Sequence, residues 1–312
     1  MDIKTASALY FSPTGGTKKI AERIAERACE SADFLDVTVR AQELDFGPED
    51  FVVIAIPVFG GRVPWPFAER LALVRAQGTP AAIVAVYGNR AFDDALLELR
   101  GMAEKRGFKV MAGAAFIARH SIVPEYGEGR PDAEDIRKID EFARRIRERL
   151  DWAASAESLP TAVVPGNLEF RKYDGVPMHP SASRTKCVKC GKCAAECPVG
   201  AIPAAEPDKT DKDKCITCMR CVAVCPQFAR SLGAIAQSGA KLSLRKSCAT
   251  RKEPRSSCDP RPRAKSAPRY AAQSRVPGRS HFLSPRSPPR RSPSSCSRSS
   301  SGSRRRSPPR RR

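Results

Sequence analysis

Along the first 150 residues the apolar positions fall in short, nearly unbroken runs, separated by stretches of helical period. Residues 6–11 (ASALYF) form a first run that stops at Ser12-Pro13-Thr14-Gly15-Gly16-Thr17. Residues 18–27 follow with Ile20 and Ile24 at helical spacing, so this region reads strand, Gly-rich turn, helix. Residues 34–39 are a second strand candidate. Residues 51–56 (FVVIAI) are continuously apolar, as a buried parallel strand should be, and end at Pro57 and a Gly60-Gly61 turn. Residues 80–87 (PAAIVAVY) repeat the pattern and end at Gly88-Asn89-Arg90. Residues 93–106 read as helix, with Leu96, Leu97 and Leu99 on its apolar side. Residues 110–118 are the last strand candidate, and 132–150 a charged amphipathic helix. Strand alternating with helix implies an α/β domain over 1–150, a five-stranded parallel sheet covered on both faces. A body of that size buries about two-thirds of its unfolded surface, enough for an unaided core.

The pattern then changes. Residues 151–182 mix Ala, Ser and Pro and read as a linker with little structure of its own. Residues 183–232 are Cys-rich. Residues 233–312 form a C-terminal extension, dominated by Ser, Pro and Arg and expected to be mostly disordered from 246. The chain of 312 residues has a net charge of +21, yet residues 246–312 hold 20 Lys+Arg against 2 acids. Residues 1–245 carry 35 basic and 32 acidic side chains, a net of +3, so the total charge describes a tail and not a nucleic-acid-binding body. The abrupt change at Lys246 fits a frame-shifted or inert extension better than a selected nucleic-acid-binding arm. Such a tail would attract polyanions without specificity. No signal peptide is visible, and no apolar stretch is long enough to span a membrane, so a reducing cytoplasm is the expected setting.

Eight of the 12 cysteines lie between Cys187 and Cys225. Cys187, Cys190, Cys193 and Cys197 are followed by Pro198; Cys215, Cys218, Cys221 and Cys225 by Pro226. Both copies read C-x2-C-x2-C-x3-C-P, the bacterial iron–sulfur run. Three thiolates of one tight loop reach three corners of a cubane, and the fourth Cys starts a helix leading away and serves the other cluster. Cys187, Cys190, Cys193 and Cys225 are therefore expected to hold one [4Fe-4S] cluster, and Cys215, Cys218, Cys221 and Cys197 a second. Two zinc sites are the alternative. A disulfide scaffold is disfavoured, because the first 180 residues hold a single Cys. The module resembles the two-cluster bacterial-type ferredoxins, a small α+β fold, over about 45 residues.

The Ser12–Thr17 turn opens a helix, whose unpaired N–H groups suit a phosphate. It is neither a P-loop nor G-x-G-x-x-G; a plain N-cap with a Gly turn is the bland alternative. The motif S-x-T-G-x-T after the first strand resembles the phosphate loop of flavodoxins. The likeness extends to Pro57-Val58-Phe59-Gly60-Gly61-Arg62-Val63-Pro64 and to Tyr87-Gly88-Asn89-Arg90. With the Cys-rich module, the chain resembles bacterial and archaeal fusions of a flavodoxin-like domain with a two-cluster ferredoxin domain. The resemblance implies that Ser12, Thr14, Gly15, Gly16 and Thr17 hold the phosphate of FMN. It implies that Phe59, Gly60 and Gly61 approach one side of the flavin ring, and Gly88, Asn89 and Arg90 another. Phe59 or Trp65 and Tyr87 are the available aromatics, and Arg62 and Arg90 the nearby charges. A positive environment would favour an anionic reduced flavin. A flavodoxin fold without FMN is the alternative.

These features predict electron transfer through two [4Fe-4S] clusters coupled to an FMN-binding domain, with redox proteins as partners. The alternative is an FMN and iron–sulfur oxidoreductase acting on a small substrate. The absence of an NAD(P) fingerprint favours a carrier over a catalyst, and no catalytic residue is assigned.

Overall fold

The structure, a computed structural model, describes residues 1–258. These residues all fall within one compact unit. The elements of its first half are β1 (Thr5–Tyr10), α1 (Gly16–Ala28), β2 (Ser31–Asp36), β3 (Leu44–Phe46), β4 (Phe51–Pro57), α2 (Trp65–Leu71), β5 (Val74–Ala76), β6 (Pro80–Tyr87), α3 (Ala95–Lys105), β7 (Lys109–Ile117) and α4 (Ala133–Trp152). The second half has β8 (Ser181–Ala182), α5 (Lys192–Ala195), α6 (Arg220–Ala223), β9 (Arg230–Ser231), α7 (Ala234–Cys248) and β10 (Arg255–Ser257).

Five parallel strands, the number expected from the apolar runs, are arranged in the order β2-β1-β4-β6-β7. This is the doubly wound order of flavodoxin-like folds, whose switch point lies between the first and third long strands, here β1 and β4. β4 and β6 are buried along nearly their whole length because both sheet faces are covered. On one face α1 and α4 pack Ile20, Ile24, Phe142 and Ile146 over Ala8, Val53, Val84 and Phe116. On the other, α2 and α3 pack Phe67, Leu71, Leu96 and Leu99 over Leu9, Ile54 and Ile83. Asp132 caps α4 by accepting from the Glu134 and Asp135 amides. Arg23 on α1 clamps Asp140 on α4 with two bonds of 2.6 and 2.7 Å. β3 and β5 form a separate two-stranded parallel pair that the sequence pattern did not signal.

Two expectations about the rest of the chain need correction. Residues 151–182 are poor in regular structure but not detached: Leu159 packs into one face of the core, Ala162 and Val164 into the other. Three apolar residues spaced through a Ser/Pro-rich stretch show no period, so the pattern hides them. Residues 246–258 are not a continuation of the tail. They complete α7 and supply β10, a sixth, antiparallel strand paired with β7. Without β10 the β7 edge would present unpaired backbone groups.

Asn89 holds this segment in place. Its Nδ2 donates to the Cys248 and Thr250 carbonyls at 3.0 Å each, and its Oδ1 accepts from the Lys252 amide at 3.0 Å. Arg251 adds ion pairs to Asp132 and Glu134 at the start of α4. The part of the expected tail from residue 259 onward lies outside the described residues. Asn89→Ala removes three hydrogen bonds, one buried and two part-buried, at a left-handed position (φ 62°). It should cost about 2–4 kcal/mol of stability and speed amide exchange selectively in 248–257. Denaturant unfolding with exchange mass spectrometry measures both.

Candidate functional site

The carboxyl ends of β1, β4, β6 and β7 open onto one cavity of about 380 Å³. Ser12, Thr14, Gly16 and Thr17 line one end; Phe59, Gly60, Gly61, Gly88 and Arg90 line the other. Four loops far apart in sequence thus meet at the edge where open α/β sheets take ligands. The amides of Gly16 and Thr17 head α1 and have no intrahelical acceptor by position, at the positive end of a 13-residue helix. The Ser12 hydroxyl accepts from the Lys18 amide at 2.8 Å and so braces the turn. Gly15 is its left-handed hinge (φ 88°).

Several of the expected contributors are placed differently. Asn89 faces the C-terminal segment, as described above. Arg62 is turned away, bonded to Glu98 by two contacts of 2.8 and 2.7 Å. Arg90 remains on the wall but is paired with Asp93. The excess positive charge inferred from sequence is therefore largely matched. Trp65 is 52% exposed and lines a neighbouring groove instead. Tyr87 packs against Phe92 at 5.5 Å between centroids, while its end still reaches the wall.

The missed contributor is Tyr173. A Cβ on Gly60 would sit 2.0 Å from its ring, so the ring lies directly on the glycine. Asp94 fixes the strap that carries it, accepting from the Asn167 and Arg171 amides at 2.9 and 2.7 Å. Nothing in the spacing of 151–182 marks Tyr173, one of three aromatics in a stretch without a period.

His120 also lines the cavity, and a Cβ on Gly88 would meet its ring at 2.6 Å. Its Nδ1 accepts from the Ile122 and Val123 amides at 3.1 Å each, which leaves the ring proton on Nε2. Burial, with Arg90 close by, pushes the imidazole down to about 4.

The Cys-rich module repeats its backbone as well as its sequence. Lys189 and Thr217, Gly191 and Met219, and Gly200 and Phe228 occupy matching places in the two runs, and all six have positive φ. Non-Gly residues at such angles persist only where the surroundings over-determine them. Each left-handed residue reverses the chain between thiols, and α5 and α6 each begin just after one.

Cys187, Cys190, Cys193 and Cys225 line one small cavity, so three thiols of the first run meet the last of the second. Cys215, Cys218, Cys221 and Cys197 lie within electrostatic reach of one another. Burial pushes the Cys218 thiol up to about 12 and the Cys221 thiol up to about 11. Cys197 and Cys225, at matching positions, accept from the Ala201 and Ala229 amides, both at 3.3 Å.

Among the described residues no three His, Cys, Asp or Glu side chains stand close enough to share a single metal ion. The first quartet lines one hollow without converging on a single point as zinc ligands do. Buried Arg230 lines that hollow too. Its Nη atoms donate to the carbonyls of Pro207 and Lys209 and to Thr210 Oγ1, while its Nε is buried without a partner. A cluster sulfur would satisfy that donor.

The second run joins the two halves. Ile216 packs against the α/β core, Thr217 and Cys218 line the sheet-edge cavity, and Arg220 donates to the Pro13 carbonyl of the glycine turn at 3.3 Å. From α2, Arg70 donates to the Pro198 carbonyl at 2.7 Å.

Residues 179–226 match the family described as the 4Fe-4S dicluster domain. The chain joins a domain of flavodoxin-like fold to a segment that matches the 4Fe-4S dicluster family. Among solved structures it is similar to a flavodoxin from Streptococcus pneumoniae TIGR4 (16% identity, 46% of this chain and 98% of that one, TM-score 0.34). It is likewise similar to a flavodoxin from the domain Archaea (17%, 47% and 99%, TM-score 0.34) and to flavodoxin 2 of Bacillus cereus (17%, 46% and 98%, TM-score 0.35). No curated protein matches the chain. Among the described residues no helix is long and apolar enough to cross a membrane.

His120 gives a pH dependence of defined sign. The folded state holds the imidazole neutral down to about pH 4, while the unfolded chain takes up a proton near pH 6.5. The unfolded state binds more protons between these values, so stability falls as pH drops. Lowering pH from about 7 to about 5 should remove about 2 kcal/mol through this residue. His120→Gln should remove that part of the slope in denaturant titrations at the two pH values.

Proposed function

We propose that this protein moves electrons between a flavin held at the sheet edge and two [4Fe-4S] clusters held by the interlocked cysteine quartets. The observation that carries the reading is that Cys218 and the Ser12–Thr17 turn line the same cavity. In this reading Ser12, Thr14, Gly15, Gly16 and Thr17 take the FMN phosphate. Phe59, Gly60, Gly61, Gly88 and Arg90 border the ring, and Tyr173 supplies an aromatic face. Cys187, Cys190, Cys193 and Cys225 hold one cluster; Cys215, Cys218, Cys221 and Cys197 hold the other.

FMN accepts two electrons and releases them singly, and each cluster passes one. The chain's own task is positioning. Ile216 seats the second cysteine loop on the α/β core, and Arg70 and Arg220 tie the module to the sheet edge. Donor and acceptor are therefore fixed neighbours and need no diffusional encounter. Thr217, Cys218 and Tyr173 wall the cavity on the side of the Cys-rich module, which supports electron transfer to a cluster over turnover of a small substrate. Redox proteins in a reducing cytoplasm would be its partners.

Anaerobic purification should yield about eight irons, about eight sulfides and one FMN per chain. Cys218→Ala should lose about half the iron. Gly60→Val, which forces a side chain into the Tyr173 ring, should lose flavin while keeping iron. An iron-free chain overturns the whole reading; an iron-loaded chain that takes up no FMN overturns the flavin half.

A further inference from the structure

The two quartets differ in what surrounds them. Cys218 and Cys221 are buried, and Cys218 faces the flavodoxin-like half. The quartet of Cys187, Cys190, Cys193 and Cys225 faces outward, and Cys190 is the one exposed thiol of the eight. Its rim carries apolar side chains in solvent: Val188 is 64% exposed and Phe228 is 82% exposed. Arg184, Lys186, Lys189 and Lys192 are all exposed, and residues 184–192 contain no acid. Among the described residues none of these four enters an ion pair, whereas Glu206 near the same rim is paired with Lys209.

We infer that the face around Cys190 is the docking surface for an acidic one-electron redox protein, with Val188 and Phe228 at its centre and the lysines around it. The inference rests on the cluster assignment proposed above. Charge complementarity selects the partner: unpaired cations around a short exit route draw in an acidic rim and orient it. Exposed apolar side chains at the centre suit a protein partner better than a phosphate backbone, which would use the charges alone. At each encounter the outer cluster loses or gains one electron and the partner gains or loses the same one; no bond or proton moves. Electrons thus travel between the cavity and this face through Cys218's quartet and then Cys190's.

The test uses the full chain, reduced anaerobically, with an acidic bacterial flavodoxin as the probe in stopped-flow mixing. The rate constant should fall steeply as salt rises from about 20 to about 300 mM. K186E/K189E/K192E should slow the low-salt reaction about tenfold, with iron content, flavin content and the rate with a small neutral quinone unchanged. K186E/K192E, which spares the left-handed position 189, should slow it about threefold. The control K4E/R27E/K105E, equal in charge but in the flavodoxin-like half, should change it less than twofold. Equal slowing by both triple variants, or none by either with iron intact, overturns the docking face alone. Loss of salt-sensitive RNA retention in K186E/K189E/K192E with an unchanged electron-transfer rate assigns the lysines to nucleic acid instead and overturns it too. An iron-free chain overturns the cluster assignment as well as the face.

Discussion

The loop from Cys215 to Cys221 has to satisfy two neighbours at once. Its thiols must turn inward to meet Cys197, while Ile216 must turn outward into the α/β core. A chain in ordinary extended or helical geometry cannot alternate direction so sharply. Left-handed Thr217 and Met219 make the reversal, at a cost of about 1–3 kcal/mol each. Burial of Ile216 and Cys218 over-determines those angles and holds them. The rest of the arrangement follows from this loop. It brings Thr217 and Cys218 to the sheet edge, sets Arg220 against the glycine turn and leaves the first run facing solvent.

Buried arginines gather backbone acceptors, Arg70 across the interface and Arg230 within the Cys-rich module. Arg70 reaches the Pro198 carbonyl and stacks over Phe11 at 5.4 Å, and Arg230 gathers acceptors from the 207–210 stretch. A guanidinium suits this role because it offers five donors in a rigid fork and loses hydration more readily than an ammonium. Backbone carbonyls, more than carboxylates, are the acceptors here. They satisfy the donors without cancelling the charge, so positive potential persists beside the thiols. Such potential stabilises thiolates and the reduced form of whatever they bind.

The strap and the C-terminal segment close the structure around this interface. Asp94 and Asn89 stand at the carboxyl edge of β6, and each uses its side chain to hold a distant piece of backbone. Asp94 places the strap so that Tyr173 covers Gly60; Asn89 places 248–252 so that β10 covers the β7 edge. Both clamps act mainly on main-chain groups, to which the Asn167 side chain and Arg251 add side-chain contacts. That is why 151–182 and 246–258 look featureless in sequence.

Local order was legible wherever it rests on near neighbours. The apolar runs at 51–56 and 80–87 are strands because both faces of a parallel sheet are covered. The turn at Ser12–Thr17 opens a helix because its hydroxyls and glycines suit a helix start. Eight cysteines in two four-Cys runs announce their chemistry through spacing alone. Sequence could not say that Tyr173, rather than Trp65, would lie on Gly60, that Asn89 would hold backbone, or that Cys218 would face the sheet edge. Those outcomes depend on which surfaces meet after the chain has crossed more than a hundred residues. Propensity and periodicity act over a turn or a strand, whereas contact across the molecule is set by packing and by the acceptors that each buried donor finds.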